Sequence, residues 1–320
     1  MLSKKFIAAI LAIMVVAFTG CSAQGMNSSS PESDNSITFT DDLGQTITVD
    51  DPQRVATLLG SFAEIWYLAG GEVIAAPDDA WDDFDLPMPE DAVNLGNTKS
   101  LSLELLFSAD PDFIIASTNT KIDLDWKETI NNAGITIAYF DVADFDDYLR
   151  VLKICTDITG REDLYQENGV EVKEKIDEII QSSQERIEEN GVPKVLAVRA
   201  SASRIRAVDS SNNVLGEMLK SLGCENIADS ETSLLENLSM EYIMTEDPDF
   251  IFIVQSGDDY EGTQQTIQRF IEENPAWQSL TAVQNDRLFF MDKRLYNLKP
   301  NALWDQAYEQ LEQILSSNEY

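Results

Sequence analysis

Hydrophobic and polar positions alternate along this chain with a period that changes several times. Residues 37–39 and 46–49 alternate with period two around Asp42-Leu-Gly44, which predicts a β-hairpin. Beyond it, short apolar runs typical of buried strands are separated by segments with helical periodicity. The predicted strands are residues 54–59, 73–76, 113–116 and 135–140, and the predicted helices are residues 62–69 and 124–133. This alternation predicts an α/β lobe with a mainly parallel sheet.

From residue 144 the pattern becomes helical and stays so up to Asn190, apart from Thr159-Gly160. Within residues 161–189, apolar side chains recur on one face, with Glu and Lys between them. They are Val172, Ile176, Ile179, Ile180 and Ile187. At 1.5 Å per residue this helix would be roughly 40 Å long, which is about the size of a lobe. We therefore predict a rigid helical connection rather than a flexible hinge.

The alternation of strands and helices returns after residue 192. The strands predicted there are residues 193–198, 250–254 and 287–291, and the helices are residues 214–222 and 304–315. The predicted fold class is α/β, with two similar lobes whose mainly parallel central sheets are joined by a long rigid α-helix. The predicted domains are a first lobe (37–144), a connecting helical segment (145–191) and a second lobe (192–320).

One unit of sequence occurs in both lobes. Residues 102–114 and 239–251 align without a gap and share seven of thirteen residues. In each unit a serine can cap a short helix, a glutamate suits the positive helix N-terminus, and Asp-Pro disfavours further helix before a buried strand. The repetition favours two similar lobes, and a chance recurrence of a common helix-to-strand connection is the alternative.

The N-terminus has the layout of an export signal. Lys4 and Lys5 precede an uncharged apolar run that is too short for a good membrane span, and Thr19-Gly20-Cys21 follows it. This predicts a lipoprotein signal peptide (1–20), lipidation of Cys21 and a flexible tether (21–36) rich in Ser and Asn. Phe18 stands where such processing sites usually have Leu. A plain secretory signal cut nearby is the alternative.

Composition restricts the possible chemistry. The formal net charge is −35, and such a field would repel nucleic acid. Histidine is absent, which removes the commonest general base and the commonest transition-metal ligand. Cys155 and Cys224 suit buried hydrophobic positions, although a disulfide between them stays open. The acidic run 78–85 lacks the ligand spacing of a calcium loop and is interpreted as a solvated loop at a cleft mouth.

Several motifs resemble one family of transport proteins. They are Asp42-Leu-Gly44, Pro52-x-Arg54-Val, the two repeated units, and Asn274-Pro-x-Trp277 followed by Arg287-Leu-Phe. With the export signal and the long connecting helix, they resemble the substrate-binding lipoproteins of ABC importers for iron–siderophore, haem and cobalamin uptake. The resemblance covers residue 37 to about residue 315.

The resemblance implies a non-enzymatic receptor that captures an iron complex, most simply a ferric siderophore, and delivers it to an ABC permease. A haem or cobalamin receptor is the alternative within the family. It also implies no catalytic residues, no intrinsic cofactor or metal, a transported iron or cobalt complex, a monomer, and a lipid anchor on the outer face of the cytoplasmic membrane.

In this family one glutamate on each lobe contacts arginines of the permease. Glu104 and Glu241 occupy those places in the two repeated units. Two carboxylates placed symmetrically could fix the orientation of the receptor on a two-fold permease through charge-assisted contacts. Alternatively, both only complement helix dipoles, at about 0.3–1 kcal/mol each.

The ligand is expected between the lobes, at turns that follow the carboxyl ends of the strands. The candidates in the first lobe are Ser61, Phe62, Trp81, Asn97, Thr98, Lys99, Ser117 and Asn119. Those in the second lobe are Arg199, Ser201, Arg204, Arg206, Lys293, Arg294 and Tyr296.

Basic residues among these candidates have a specific interpretation. Arg199, Arg204 and Arg206 stand out because the chain has only 22 Lys and Arg residues, and they suit an anionic ligand. Ion pairs with the abundant acids are the alternative. Trp81 and Tyr296 could stack on a flat ligand, or could belong to the core.

Three other function classes remain open. A divalent-metal receptor of the same architecture is disfavoured by the absence of histidine. An extracellular hydrolase would need two carboxylates in a cleft, and no spacing in the sequence places them there. An adhesion or scaffolding lipoprotein would be expected to show long repeats or threonine-rich stalks, which are not seen.

Overall fold

A computed structural model describes residues 36–211, 213–236 and 238–317 of the chain. The predicted signal peptide, Cys21 and all of the predicted tether except Ser36 lie outside the described residues. Their assignments therefore stay predictions.

The described chain begins with the predicted hairpin, formed by strands β1 (Ile37–Thr40) and β2 (Thr46–Val49). Gly44 lies in its turn with a φ of 74°, a conformation that a side chain would disfavour. The hairpin also contacts the first sheet, because the Asp42 amide donates to the Tyr139 carbonyl at 2.9 Å.

The first sheet has five parallel strands in the order β5-β4-β3-β6-β7. They are β3 (Val55–Thr57), β4 (Val73–Ala76), β5 (Val93–Asn94), β6 (Phe113–Ser117) and β7 (Thr136–Phe140). The helices are α1 (Gly60–Leu68), α2 (Asp79–Asp82), α3 (Leu103–Ser108) and α4 (Lys121–Asn132). One prediction needs correction, because the acidic run predicted as a loop contains the single turn of α2, with Ala80 buried.

Helices occupy nearly all of the predicted connection. They are α5 (Phe145–Thr159), α6 (Glu162–Tyr165) and α7 (Glu171–Asn190), and a π-helical turn, Gln166–Val170, joins the last two. The predicted long helix is thus confirmed with one wide turn inside it. Gly169 lies in that turn, where an added Cβ would stand 2.7 Å from Leu149 Cδ1. An added side chain would therefore have to displace the end of Leu149, so the close approach of α5 to this turn favours glycine.

The second sheet has parallel strands in the order β10-β8-β11-β12, with β9 antiparallel to β8. They are β8 (Lys194–Ala200), β9 (Ile205–Ala207), β10 (Glu225–Asn226), β11 (Phe250–Gln255) and β12 (Leu288–Met291). The helices are α8 (Val214–Ser221), α9 (Met240–Glu246), α10 (Tyr260–Ile267), α11 (Thr281–Gln284), α12 (Lys293–Tyr296) and α13 (Trp304–Ser316). The predicted α/β class with two mainly parallel sheets is confirmed. We call the part around the first sheet the first lobe and the part around the second sheet the second lobe.

The repeated units perform the same structural task in the two lobes. Ser102 and Ser239 cap α3 and α9 through their hydroxyls, as predicted. The Asp112 carboxylate accepts the Arg54 amide at 3.0 Å, which ties the start of β6 to the start of β3. Asp249 accepts the Lys194 amide at 2.8 Å and ties β11 to β8 in the same way. The second aspartate of each unit therefore fixes the register of two central strands.

The largest core cluster extends through both lobes and packs against the connecting helices. The rings of Phe145 on α5 and Trp304 on α13 meet at 6.2 Å between centroids, nearly edge to face. Separate clusters cover the other face of each sheet. Burying each large side chain contributes about 1.5–3 kcal/mol to stability. This shared core therefore favours a fixed arrangement of the connecting helices and the two lobes.

Candidate ligand-binding cleft

A cavity of about 920 Å³ lies between the lobes, at the carboxyl ends of the central strands. Its cationic lining residues are Lys99, Arg199, Arg204, Arg206 and Lys299. Its other polar lining residues are Asn119, Asp141, Ser201, Ser203, Asn213, Ser256 and Asn297. Six of the sequence-predicted candidates therefore come together here, namely Lys99, Asn119, Arg199, Ser201, Arg204 and Arg206.

Two arginines face the cavity from the β8–β9 hairpin. Arg199 and Arg206 are direct partners in the antiparallel register, so their side chains project from the same face of the hairpin. Burial lowers the pKa of the Arg199 guanidinium, and the neighbouring Arg206 lowers it further. The buried Nε of Arg199 has no hydrogen-bond partner in the described residues. Like charges placed in this way repel each other and favour an anion between them.

Arg204 is held differently, at the tip of the same hairpin. Its Nη2 donates to the Glu236 carbonyl at 3.2 Å, and its amide donates to the Ser201 hydroxyl at 3.1 Å. Part of its donor capacity is therefore used by the protein itself.

The first lobe contributes polar groups to the opposite wall. Asn119 donates from its amide side chain to Asp141 Oδ1 at 2.6 Å, and its backbone amide donates to the Ser117 hydroxyl at 3.0 Å. Ser117 is itself buried and supports the turn that carries Asn119. The turns after β6 and β7 thus present a fixed amide and a fixed carboxylate to the cavity.

Lys299 lines the cavity but is absent from the sequence-predicted set. Burial lowers the pKa of its ammonium group, with a smaller effect in the same direction from Arg199 and an opposing effect from Asp141. It lies in an irregular segment where no periodicity marks it. The scarcity of basic residues that singled out the arginines could have identified Lys299 as well.

A second cavity of about 560 Å³ adjoins the first and shares Lys99, Gly257 and Asn297 with it. Three more predicted candidates, Asn97, Thr98 and Lys293, line it together with several aspartates. Lys293 bonds to Asp83 of the first lobe at 2.8 Å and lies 3.3 Å from Asp258 of the second. The Lys293 charge is therefore already paired across the cleft.

Asp79 lies on the wall of this second cavity and caps α1 from outside the helix. Both of its carboxylate oxygens accept the Gly60 amide, at 3.0 and 3.1 Å. Burial raises the pKa of Asp79 to about 6, and Asp78 and Asp83 add to the rise.

The remaining candidates, Ser61, Phe62, Trp81, Ser117, Arg294 and Tyr296, do not line either cavity. Phe62 and Tyr296 belong to the core, and the Tyr296 hydroxyl donates to the Ala307 carbonyl at 2.9 Å. Trp81 packs against the same core. For Phe62 and Tyr296, the structure corrects the prediction, because their aromatic faces are used by packing.

Arg294 belongs to an inter-lobe cluster that we call the Glu64 clamp. Its Nη2 bonds to Glu64 Oε1 on α1 at 2.7 Å, its Nη1 donates to the Lys299 carbonyl at 2.6 Å, and its guanidinium lies over the Phe84 ring. Asn301 adds bonds to the Ser61 carbonyl and to Glu64. The prediction for Arg294 is thus corrected, because its donors hold the lobes together.

Replacing Arg294 by glutamine is expected to reduce the free energy of unfolding by about 2–3 kcal/mol, since it leaves Glu64 partly buried without a cation. Burial raises the pKa of Glu64, and Arg294 opposes that rise. Urea denaturation followed by circular dichroism measures the change. Arg161→Gln, which removes an exposed ion pair with Asp163, is the control and should change stability by less than about 1 kcal/mol. Equal effects of the two substitutions would contradict the clamp.

Glu104 and Glu241 are both exposed, in the first turns of α3 and α9. Neither is used in an ion pair in the described part of the chain. Both carboxylates are therefore accessible to a partner, and their docking role stays a prediction.

The described residues contain neither a cluster of metal-binding side chains nor a helix suited to span a membrane. No group of three or more Cys, Asp and Glu side chains in residues 36–317, apart from the two gaps, is arranged to hold a metal ion. None of the helices in this same part is both long enough and apolar enough to cross a membrane.

Comparison with known proteins gives consistent results. A family profile described as "Periplasmic binding protein" matches residues 55–295. The putative ABC transporter substrate-binding lipoprotein YhfQ of Bacillus subtilis is 22% identical over 329 residues, covering 97% of this chain and 98% of the relative. The vitamin B12-binding protein of Pectobacterium atrosepticum is 25% identical over 217 residues, covering 67% of this chain and 75% of the relative.

Among solved structures, the siderophore-binding protein BauB, bound to ferric iron and two acinetobactin molecules, superposes with a TM-score of 0.69. It is 17% identical, and the match covers 89% of this chain and 99% of BauB. At 17% identity, this similarity shows that the two chains share a fold and shows nothing further.

Proposed function

This chain belongs to the periplasmic binding protein family, whose members bind and do not catalyse, and from that premise we propose that it is the receptor of an ABC importer for an iron complex. It captures the complex between its lobes and releases it to the permease. The hydrolase hypothesis is set aside by the family assignment.

The inter-lobe cavity is the observation that carries this proposal. At about 920 Å³ it is at the upper end of the usual range for small-molecule sites, so it suits a ligand larger than a single ion or amino acid. Its lining holds five cationic side chains in a chain of net charge −35. None of Lys99, Arg199, Arg206 and Lys299 has an ion pair within the described residues. A large anionic metal complex would supply the missing charges.

The relatives support a metal complex as the ligand. BauB binds a ferric siderophore, and the Pectobacterium relative is named for vitamin B12, which is a cobalt complex. The YhfQ relative is named as a lipoprotein, which supports lipidation of Cys21 and attachment to the outer face of the cytoplasmic membrane.

Delivery depends on Glu104 and Glu241 in this proposal. A carboxylate at the start of the same helix in each lobe gives the receptor two equivalent contacts for arginines of a two-fold permease. The helix-dipole contribution is compatible with this role, because an exposed carboxylate can serve both.

Changing both glutamates to arginine is expected to reduce uptake of iron-55 by cells at least about ten-fold, because each contact becomes a repulsion. Ligand affinity of the purified protein should stay within about two-fold, since neither residue lines a cavity. Glu128→Arg with Glu188→Arg makes the same change of charge at two other exposed positions and should leave uptake intact. A loss of affinity in the Glu104 and Glu241 variant would place these residues in binding instead of delivery.

A further inference from the structure

We infer that the ligand is a hydrophilic ferric chelate that carries at least two ionised carboxylates on its surface, and not a porphyrin or a corrin. The inference rests on the proposed function and names the substrate class for the same cavity.

The Arg199–Arg206 pair supplies the first part of the argument. Two guanidinium groups side by side on one face of a hairpin can each bind a carboxylate in the bidentate manner. The buried Nε of Arg199 has no hydrogen-bond partner in the described residues, so the protein itself does not satisfy this donor. A carboxylate bound between the two guanidinium groups neutralises the repulsion between these cations.

Cations on other walls of the cavity require a second anionic group. Lys99 comes from the first lobe and Lys299 from the segment after α12, whereas both arginines come from the β8–β9 hairpin. One carboxylate on the hairpin leaves Lys99 without a counter-charge and Lys299 with only the partial compensation of Asp141, in a partly desolvated site. Charges from separate elements therefore indicate a ligand that carries ionised groups on more than one side.

The rest of the wall is hydrophilic. Asn, Ser and Asp side chains fill the spaces between the cations, and the apolar lining is restricted to Ala143 and Val214. Flat macrocycles gain affinity from aromatic and aliphatic faces. The aromatic candidates Phe62, Trp81 and Tyr296 pack into the core instead. Haem iron, moreover, takes an axial His, Cys, Met or Tyr ligand, and the lining residues of the described chain include none of these.

Phosphate groups can also accept bidentate hydrogen bonds from arginine, so the test includes a phosphate-bearing probe. The amide and hydroxyl groups of Asn119, Asn297 and Ser203 offer hydrogen bonds to the hydroxyl and amide groups of a hydroxycarboxylate ligand. A carboxylate chelate accounts for both the cations and these neutral groups.

Equilibrium binding of the full chain to a panel of probes tests the inference. The panel is ferric citrate, iron(III) tris-catecholate, ferrioxamine B, haemin, cyanocobalamin and inorganic pyrophosphate with iron(III), each titrated while intrinsic tryptophan fluorescence is followed. Ferric citrate is expected to bind at least about ten-fold more tightly than every other probe. Tightest binding of another iron probe or of haemin would overturn the carboxylate inference and leave the receptor function intact, whereas tightest binding of cyanocobalamin would overturn both the inference and the proposed iron ligand. If no probe binds, the proposed function itself fails.

Two substitutions locate the ligand on the hairpin. Arg199→Gln and Arg206→Gln are each expected to weaken ferric citrate binding at least about ten-fold, because each removes a charge-assisted contact. Neither should lower the urea midpoint, since each also relieves a repulsion. Arg269→Gln, at an exposed arginine over Phe270, is the matched control and should leave affinity unchanged. Unchanged affinity in both hairpin variants would overturn the inference.

Discussion

Replacing Arg186 by methionine is expected to reduce the free energy of unfolding by about 3–5 kcal/mol, because it leaves Glu312 buried without its cation. Arg186 lies on α7 and is only 5% exposed at its side chain, and Glu312 on α13 is 10% exposed. The guanidinium bonds to both Glu312 oxygens, at 2.9 and 3.2 Å, and to the Leu222 carbonyl at 2.9 Å. One side chain therefore joins the long helix to two elements of the second lobe.

Urea denaturation monitored by circular dichroism measures this loss. The double variant Arg186→Met with Glu312→Leu should recover most of the stability, because removing both charges also removes the desolvation cost. Lys173→Met breaks an exposed ion pair with Asp177 on the same helix and is the control, with an expected change below about 0.5 kcal/mol. A single variant that loses no more than the control would show that the buried pair contributes little.

The position of this pair matters for function because the receptor must hold two lobes at a fixed spacing around its ligand. The Arg186 pair fixes the connecting helices to the second lobe. The Asn168 side chain, in the π-helical turn, donates to the Leu68 carbonyl at 3.0 Å and fixes the same helices to the first lobe. The Glu64 clamp joins the lobes directly. Together these contacts keep the cavity walls in register, so the cationic side chains need little rearrangement to bind.

Much of the fold could be predicted because its signals are local. Period-two alternation identified the hairpin, and helical periodicity identified α7, since both depend only on residues a few positions apart. Each repeated unit contains its own cap and its own strand, so Ser102 and Ser239 were assigned their capping roles correctly. The comparison of two halves of one chain then indicated two lobes.

The site was predicted less well because it depends on contacts between distant residues. Strand β9 is three residues long, and its pairing with β8 decides that Arg199 and Arg206 stand side by side. Arg294 meets Glu64 across 230 residues, which no local pattern reveals. Tyr296 follows a strand end, as a ligand residue would, but the direction of its side chain is set by packing beneath α13.

Asp123 is the buried carboxyl group that supports the ligand-side turn of the first lobe. It is fully buried in the first turn of α4, and its Oδ2 accepts the Ser117 amide at 2.8 Å. Its Oδ1 has no hydrogen-bond partner in the described residues. Burial raises the pKa of Asp123 to about 7, and the bond from Ser117 only partly opposes the rise. The neutral carboxyl group is therefore the form that the folded protein favours.

The free energy of unfolding should consequently fall as pH rises from about 4 to above 7. In this range the folded protein binds a proton at Asp123 that the unfolded chain has lost, because an unfolded aspartate has a pKa near 3.9. The full effect is about 4 kcal/mol, and Asp79, whose pKa is raised to about 6, adds a slope of the same sign.

Asp123→Asn isolates the contribution of Asp123, because it keeps an acceptor for Ser117 and cannot ionise. We expect the stability of the variant relative to the wild type to increase by about 4 kcal/mol between pH 4 and pH 8, as measured by urea denaturation at each pH. Asp125→Asn, on the same helix but 57% exposed, should not reproduce this trend. Parallel stability curves for Asp123→Asn and the wild type would mean that the buried carboxyl group does not titrate in this range.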